Sequence, residues 1–119
     1  MQTTEATVYV KDPTSESLYD KLNGYLADVD FCEAANHCAT AINMAVHNRR
    51  SGITRMFSVE NIHMTAEQSS AVGGHCHWDQ LNVDTTDGRF VITPNVPGDA
   101  FRAWCHEAES LASIYAMAR

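Results

Sequence analysis

The sequence predicts an α+β fold, in which an antiparallel β-sheet of about four strands carries two to three helices on one face. Two observations lead to this prediction. Apolar residues recur at three- and four-residue steps in three segments, which is typical of amphipathic helices. The segments between them are rich in β-branched residues and are bounded by Pro, Gly and Asp, which is typical of strands and turns. The predicted element order is β-α-α-β-(β)-β-β-α.

The composition bounds the class of protein. The chain has 119 residues, of which 45% are hydrophobic and 19% are charged, so one domain over residues 1–119 is expected, with residues 1–5 disordered. The formal net charge is −7, which would repel a phosphate backbone and therefore disfavours direct nucleic-acid binding. No apolar run approaches the roughly 18 residues of a membrane span.

The first elements are a strand and a short helix. Residues 6–10 alternate and are β-prone, and Asp12-Pro13 ends this predicted strand. A helix is expected next, with Thr14 or Ser15 as its N-cap. Its apolar stripe consists of Leu18, Leu22 and Leu26.

The second predicted helix has the clearest signals at both ends. Asp30 and Glu33 form a variant capping box, and Gly52 supplies a residue that can end the helix. Arg49 and Arg50 would lie at its negative end, which explains them without any further function, although they could also contact an acidic partner. The predicted core-facing side chains are Phe31, Ala35, Cys38, Ile42, Ala45 and Val46.

The remaining elements are extended until the last helix. Residues 53–59 read as a strand that Arg55 interrupts, and residues 60–74 are ambiguous between a strand and a loop. Residues 75–83 and 89–93 predict a hairpin with Gly88 at a positive φ. Asp99 caps a final helix whose apolar stripe consists of Phe101, Trp104, Cys105, Ala108, Leu111, Ala112 and Tyr115.

The cysteine count indicates a compartment. The four cysteines are Cys32, Cys38, Cys76 and Cys105, and none of their spacings matches a zinc or redox motif. An even number in a short chain favours two disulfides between the predicted layers, and the three pairings stay open. Disulfides in turn predict a secreted or extracellular protein. The alternative is four reduced, buried thiols in a cytoplasmic protein.

A second cluster of reactive residues is His75-Cys76-His77-Trp78. On a strand, both histidines would project to one face and could bind a metal with His63, His106 or Glu107 as a third ligand. No other ligand has a recognised spacing, so solvated strand histidines are the simpler interpretation. We therefore predict no catalytic residue, no metal and no cofactor.

One pattern resembles a known group of proteins. It consists of the helix segment Cys38-Ala39-Thr40-Ala41-Ile42-Asn43, the strand start Gly74-His75-Cys76, and Trp104-Cys105 in a closing helix. Over residues 30–106 this pattern is similar to small secreted fungal effectors, including the virally encoded killer toxins of smut fungi. The resemblance implies helices bridged onto an antiparallel sheet, and a non-enzymatic secreted protein whose surface binds a target.

These observations predict a small secreted, disulfide-stabilised interaction protein, effector- or toxin-like, that binds a host or competitor macromolecule. The candidate partner contacts are Arg49, Arg50, His75 and His77. One alternative is an acidic intracellular protein of a phage or mobile element that inhibits a nucleic-acid-handling enzyme by binding or mimicry. A second alternative is a small metal- or His-dependent enzyme.

Overall fold

The structure, a computed structural model, describes residues 2–33, 42–71, 74–96 and 98–117. These residues form six strands and two helices. In chain order these are β1 (Thr4–Lys11), α1 (Glu16–Leu22), β2 (Tyr25–Glu33), β3 (Ile42–Asn48), β4 (Thr54–Ala71), β5 (Gly74–Thr85), β6 (Gly88–Pro94) and α2 (Asp99–Met117).

The six strands form one closed antiparallel barrel. Each strand pairs with the next along the chain, and β6 pairs with β1, where Thr7 lies opposite Thr93. The prediction of an α+β sheet of about four strands with helices on one face is therefore wrong. A closed barrel turns the apolar face of its sheet inward, so the core is open only at the ends of the strands, and the two helices lie at these two ends.

Side chains fill the interior of this barrel. Along the strands, alternate residues point inward, as expected for a two-residue period. Nine of the described strand residues have the largest side chains that are fully buried. They are Val8, Val29, Phe31, Met44, Val46, Leu81, Val83, Phe90 and Ile92. The tilted rings of Phe57 and Phe90 lie 4.7 Å apart between centroids. Six strands enclose a narrower space than the eight that can hold a small ligand, so a packed lumen is the expected result.

The prediction of a second helix is also wrong. Its two ends are β2 and β3, which pair with each other so that Phe31 lies opposite Met44. Residues 34–41, between them, lie outside the described residues. The segment misleads because Phe31, Ile42 and Val46 satisfy a helical spacing, whereas β3 buries every second residue from Ile42 to Asn48. Asp30 accepts a hydrogen bond from the amide of Phe31 (2.8 Å) and caps no helix.

The short helix α1 covers one end of the barrel. Ser15, one of the two predicted candidates, is its N-cap and accepts a hydrogen bond from the amide of Leu18 (3.2 Å). Leu18 and Leu22 are buried in the barrel core, whereas Leu26 belongs to β2 and not to the predicted helical stripe. Gly24, at φ +80°, turns the chain from the helix into β2.

The predicted hairpin is confirmed and is tighter than expected. Thr85 pairs with Gly88, which has the predicted positive φ (+136°). A Cβ atom at Gly88 would lie 3.0 Å from the carbonyl oxygen of Asp12, so the β1–α1 loop packs closely on this turn. Of the ambiguous segment 60–74, residues 60–71 continue β4, and the pairing of β4 with β5 shifts register between Val59 and Asn61.

The long helix α2 covers the other end of the barrel and confirms the predicted final helix. The ring of Trp104 lies 5.5 Å from that of Phe31 in the barrel and 5.8 Å from that of Phe101. Its indole N–H donates to the carbonyl of Gln2 (2.8 Å), within the segment 1–5 for which the sequence predicted disorder. Among the described residues, neither helix is long and apolar enough to cross a membrane.

Candidate functional site

A cavity of about 430 Å³ opens at the end of the barrel that α1 covers. Tyr25, Asn48 and Arg55 line it from the strand ends. They share the two-residue phase of the inward-facing side chains, so the cavity occupies the mouth of the barrel above the packed core. Leu22 contributes to the wall from α1.

Asn48 holds the parts of this mouth together. Its side-chain amide donates to the carbonyl of Lys21 (3.0 Å), at the end of α1. Its side-chain oxygen accepts hydrogen bonds from the amides of Arg50 (2.9 Å) and Ser51 (3.3 Å), in the β3–β4 turn. Asn48 is one of the few buried polar residues, and its hydrogen bonds compensate for the loss of water. Gly52, at φ +73°, completes the turn.

Three cationic side chains line the cavity without a salt bridge. They are Lys21, Arg50 and Arg55. Among the described residues, none of the three has a carboxylate oxygen within 4.0 Å of its charged nitrogens. Asp20 is the only carboxylate in the lining. The chain has only eight Lys and Arg residues against fifteen Asp and Glu, so three unpaired cations in one place concentrate the scarcer charge.

The other described arginines are occupied by carboxylates. Arg49 makes a bidentate contact to Asp28 (2.8 and 3.0 Å), which lowers the pKa of that carboxyl group and raises the pKa of the guanidinium. Arg89 pairs with Asp84 (2.7 Å), and Arg102 pairs with Asp79 (2.9 Å). These three arginines form ion pairs that link neighbouring parts of the fold. Within the described ranges, the cations of the cavity have no such partner and are available to a ligand.

Apolar surface lies beside the charges. The guanidinium of Arg50 lies over the ring of Tyr25, 5.9 Å from its centroid, which is a cation–π contact. Ile53 is 55% exposed and lines the same cavity. A cavity with cations on one part of its wall and Tyr25, Leu22 and Ile53 on another can bind an anion that is attached to an organic body.

The four predicted partner contacts lie in different parts of the structure. Arg50 lines the cavity, whereas Arg49, its neighbour in sequence, is bound to Asp28 and also lies 3.3 Å from Glu5. The backbone of His75 and His77 pairs with Ser70 and Gln68 in the hairpin of β4 and β5. The side chains of both histidines lie outside the described residues. They stay predicted contacts and are not brought together with Arg50.

Two of the four cysteines, Cys32 and Cys105, have side chains among the described residues. Cys32 and Cys105 are free thiols, and Cys105 is fully buried. Burial, with the nearby charges of Asp79 and Glu109, raises the pKa of the Cys105 thiol to about 12, so it stays protonated and unreactive in the folded protein. Cys38 and the side chain of Cys76 lie outside the described residues. Because Cys32 and Cys105 are unbonded here, a Cys38–Cys76 bridge is the pairing that would agree with the structure, and two disulfides stay an expectation from the cysteine count alone.

The candidate third ligands for a metal lie around α2. Nδ1 of His106 lies 3.6 Å from a carboxylate oxygen of Glu109, whose second oxygen accepts a hydrogen bond from the amide of Met64 (3.2 Å). Nδ1 of His63 is buried without a hydrogen-bond partner among the described residues. No group of three potential metal ligands occurs in the part of the chain that the structure describes.

The sequence analysis missed Lys21, Tyr25 and Asn48, because their proximity depends on the pairing of β2 with β3, in a segment for which the sequence predicted a helix. Arg55 did leave a signal, since it interrupts the apolar phase of its strand at a position that points inward. A charged residue in an inward phase indicates either a mouth of the barrel or a ligand contact, and Arg55 lies at the mouth of the barrel.

Comparison of the chain with protein-family models, curated proteins and solved structures gives no significant match. The resemblance to secreted fungal effectors and killer toxins therefore stays a prediction.

Proposed function

We propose that this is an interaction protein that binds an anionic group of a target protein in the cavity at the α1 end. The observation that carries the proposal is the accumulation of Lys21, Arg50 and Arg55 without carboxylate partners in a chain of net charge −7. Cations that are left unpaired in an otherwise acidic protein favour an acidic ligand by charge complementarity.

The whole-molecule charge favours a protein target over a nucleic acid. A polyanion would approach the carboxylates of the protein as well as the cavity, and the net charge of −7 opposes that approach. A single anionic group on a protein needs only local complementarity. The packed interior favours the same mode of action, because a ligand can be bound at the mouth of the barrel and not inside it.

Secretion and disulfide stabilisation belong to the proposal as expectations from the cysteine count. Thiol counting tests them with unreduced protein under denaturing conditions. Zero free thiols would support two disulfides and secretion, and would require Cys32 and Cys105 to be bonded in solution. Two free thiols would fit a single Cys38–Cys76 bridge. Four would overturn the disulfide expectation and favour the cytoplasmic alternative.

The binding proposal is tested by amide NMR titration with a hexaglutamate peptide, and with a hexalysine peptide as the control of opposite charge. We expect hexaglutamate to shift the amides of residues 20–25 and 48–55, and hexalysine to shift amides elsewhere. Triple substitution of Lys21, Arg50 and Arg55 by Ala removes the hexaglutamate shifts. Arg89→Ala, which removes a paired arginine outside the cavity, leaves them in place.

Two results would contradict the binding proposal. One is a hexaglutamate titration without shifts around the cavity. The other is a triple variant that still folds, as judged by its amide spectrum, and shows the same shifts as the unchanged protein.

A further inference from the structure

We infer that the anionic group bound at the α1 end is a phosphate monoester carried by a side chain of the target protein. The inference rests on the proposed function and names the chemical class of the group that the cavity recognises. Three properties of the cavity lead to it: its net charge, its hydrogen-bond donors and its volume.

The net charge of the lining matches a doubly charged anion. Lys21, Arg50 and Arg55 carry three positive charges, and Asp20 carries one negative charge, which leaves a formal charge of +2. A phosphate monoester carries about −1.5 to −2 at neutral pH, whereas a carboxylate carries at most one negative charge. A carboxylate would therefore leave part of the positive charge uncompensated.

The donors suit phosphate oxygens. The guanidinium groups of Arg50 and Arg55 present planar, paired N–H donors, which bind phosphate in a bidentate manner, and Lys21 adds an ammonium group. The hydroxyl of Ser51 accepts a hydrogen bond from the amide of Ile53 (3.2 Å), so its proton remains to be donated to a ligand. Four donor groups therefore face the three terminal oxygens of a phosphate monoester.

Asn48 fixes the backbone of three of these donor residues before a ligand binds. It fixes the amides of Arg50 and Ser51 and ties their turn to the end of α1, from which Lys21 projects. Because one buried side chain holds the backbone of three donor residues, ligand binding needs to order only their side chains and not the turn itself.

The volume requires more than an inorganic ion. A cavity of about 430 Å³ lies within the range of small-molecule sites and is much larger than one phosphate group. The ring of Tyr25, with Leu22 and the half-exposed Ile53, offers apolar contacts to the rest of the phosphorylated side chain. A phosphorylated residue with its flanking peptide fills such a space.

The test compares four peptides of one sequence by isothermal titration calorimetry: with phosphotyrosine, with phosphoserine, with Glu and with unmodified Tyr at the central position. Adenosine monophosphate serves as a small phosphate monoester without a peptide. We expect a phosphopeptide to bind at least tenfold more tightly than the Glu peptide, and more tightly than the nucleotide.

Variants of the cavity locate the binding. Arg55→Ala and Arg50→Ala should each weaken phosphopeptide binding at least tenfold, and Arg55→Lys, which keeps the charge and loses the planar donors, should weaken it by less. Arg102→Ala is the matched control, because Arg102 is paired with Asp79 and does not line the cavity. Amide spectra of each variant show that the fold is retained.

The outcomes separate this inference from the proposed function. If the Glu peptide binds as tightly as the phosphopeptides, the phosphate inference is overturned and the binding of an acidic target survives. If adenosine monophosphate binds more tightly than any peptide, the ligand is a small phosphate monoester, and the assignment to a protein side chain is overturned. If no probe binds, both proposals fail.

Discussion

The two ends of the barrel are closed in different ways. At the α2 end, Trp104 and Phe101 of the helix continue the apolar core, and the ring of Trp104 is tilted against Phe31 of the barrel and stacked on Phe101. At the α1 end, Leu18 and Leu22 close the core, and a largely apolar cavity with three unpaired cations in its wall lies beside them. We expect the α2 end to contribute more to stability, whereas the cations of the α1 end are available to a partner.

The largest expected effect comes from a substitution in the apolar α2 end of the barrel. Trp104→Ala should lower the free energy of unfolding by about 3–5 kcal/mol, because it removes a buried indole and its contacts with Phe31 and Phe101. Urea denaturation measures this loss. Ile114→Ala is the control on the same helix, since Ile114 is 63% exposed, and it should change stability by less than about 0.5 kcal/mol. Equal losses in the two variants would contradict the closure of this end by Trp104.

The next effect concerns the polar end. Asn48→Ala should cost about 1–3 kcal/mol, because it leaves the carbonyl of Lys21 and the amides of Arg50 and Ser51 without their buried partner. Asn82→Ala removes a solvent-exposed hydrogen bond to Thr65 and serves as the control. Denaturation and amide exchange in the β3–β4 turn measure the effect. A change no larger than that of Asn82→Ala would show that Asn48 does not organise the cavity.

Alkaline pH tests the burial of Cys105. The unfolded thiol has a pKa of about 8.5, and in the folded protein burial raises it to about 12. Between these values the unfolded state loses the proton and the folded state keeps it, so this thiol lowers stability by about 1.4 kcal/mol per pH unit. The contribution is fully present below the unfolded pKa and is lost as pH rises towards the folded value.

The measurement is denaturation at pH 8, 9 and 10. The unchanged protein should lose more stability over this range than Cys105→Ala does, and Cys32→Ala should behave as the unchanged protein. Parallel pH profiles for all three proteins would mean that the Cys105 thiol is not held protonated by the fold.

The smallest expected effect concerns the exposed pair of Asp28 and Arg49. The hydrogen bond from Arg49 lowers the pKa of Asp28, so this pair stabilises the fold above the ordinary pKa of a carboxyl group and loses that contribution as pH falls through the lowered value. NMR titration of Asp28 should show its pKa rising in Arg49→Ala. The rise should be reduced at high salt, and its absence would show that the two side chains are not paired in solution.

The sequence predicted the local elements of this fold better than its architecture. The first strand, the Ser15 cap, the hairpin at Gly88 and the last helix each depend on residues close together in the chain, and all four are confirmed. The barrel depends on pairing between Thr7 and Thr93, which no local pattern records.

The error over residues 30–50 has a physical origin. Phe31, Ile42 and Val46 fit a helical period, and β3 alone is too short for its alternation to outweigh that longer pattern. Burial decided the outcome, because only a strand places Met44 and Val46 on the inside of the barrel together with Ile42. Arg50 was found as a candidate contact for a reason that proved wrong, since it ends no helix and lies in the turn between β3 and β4.

The pairing of the first strand with the last has a kinetic consequence. Because Thr7 and Thr93 lie far apart in the sequence, the barrel cannot close during synthesis until β6 has left the ribosome. Contacts between residues so far apart in sequence slow folding. The chain loses conformational entropy when the loop closes, before the new contact can stabilise it. Until the barrel closes, the edge of β1 that will pair with β6 has free backbone hydrogen-bonding groups. The nascent protein is then most prone to aggregate and to bind chaperones.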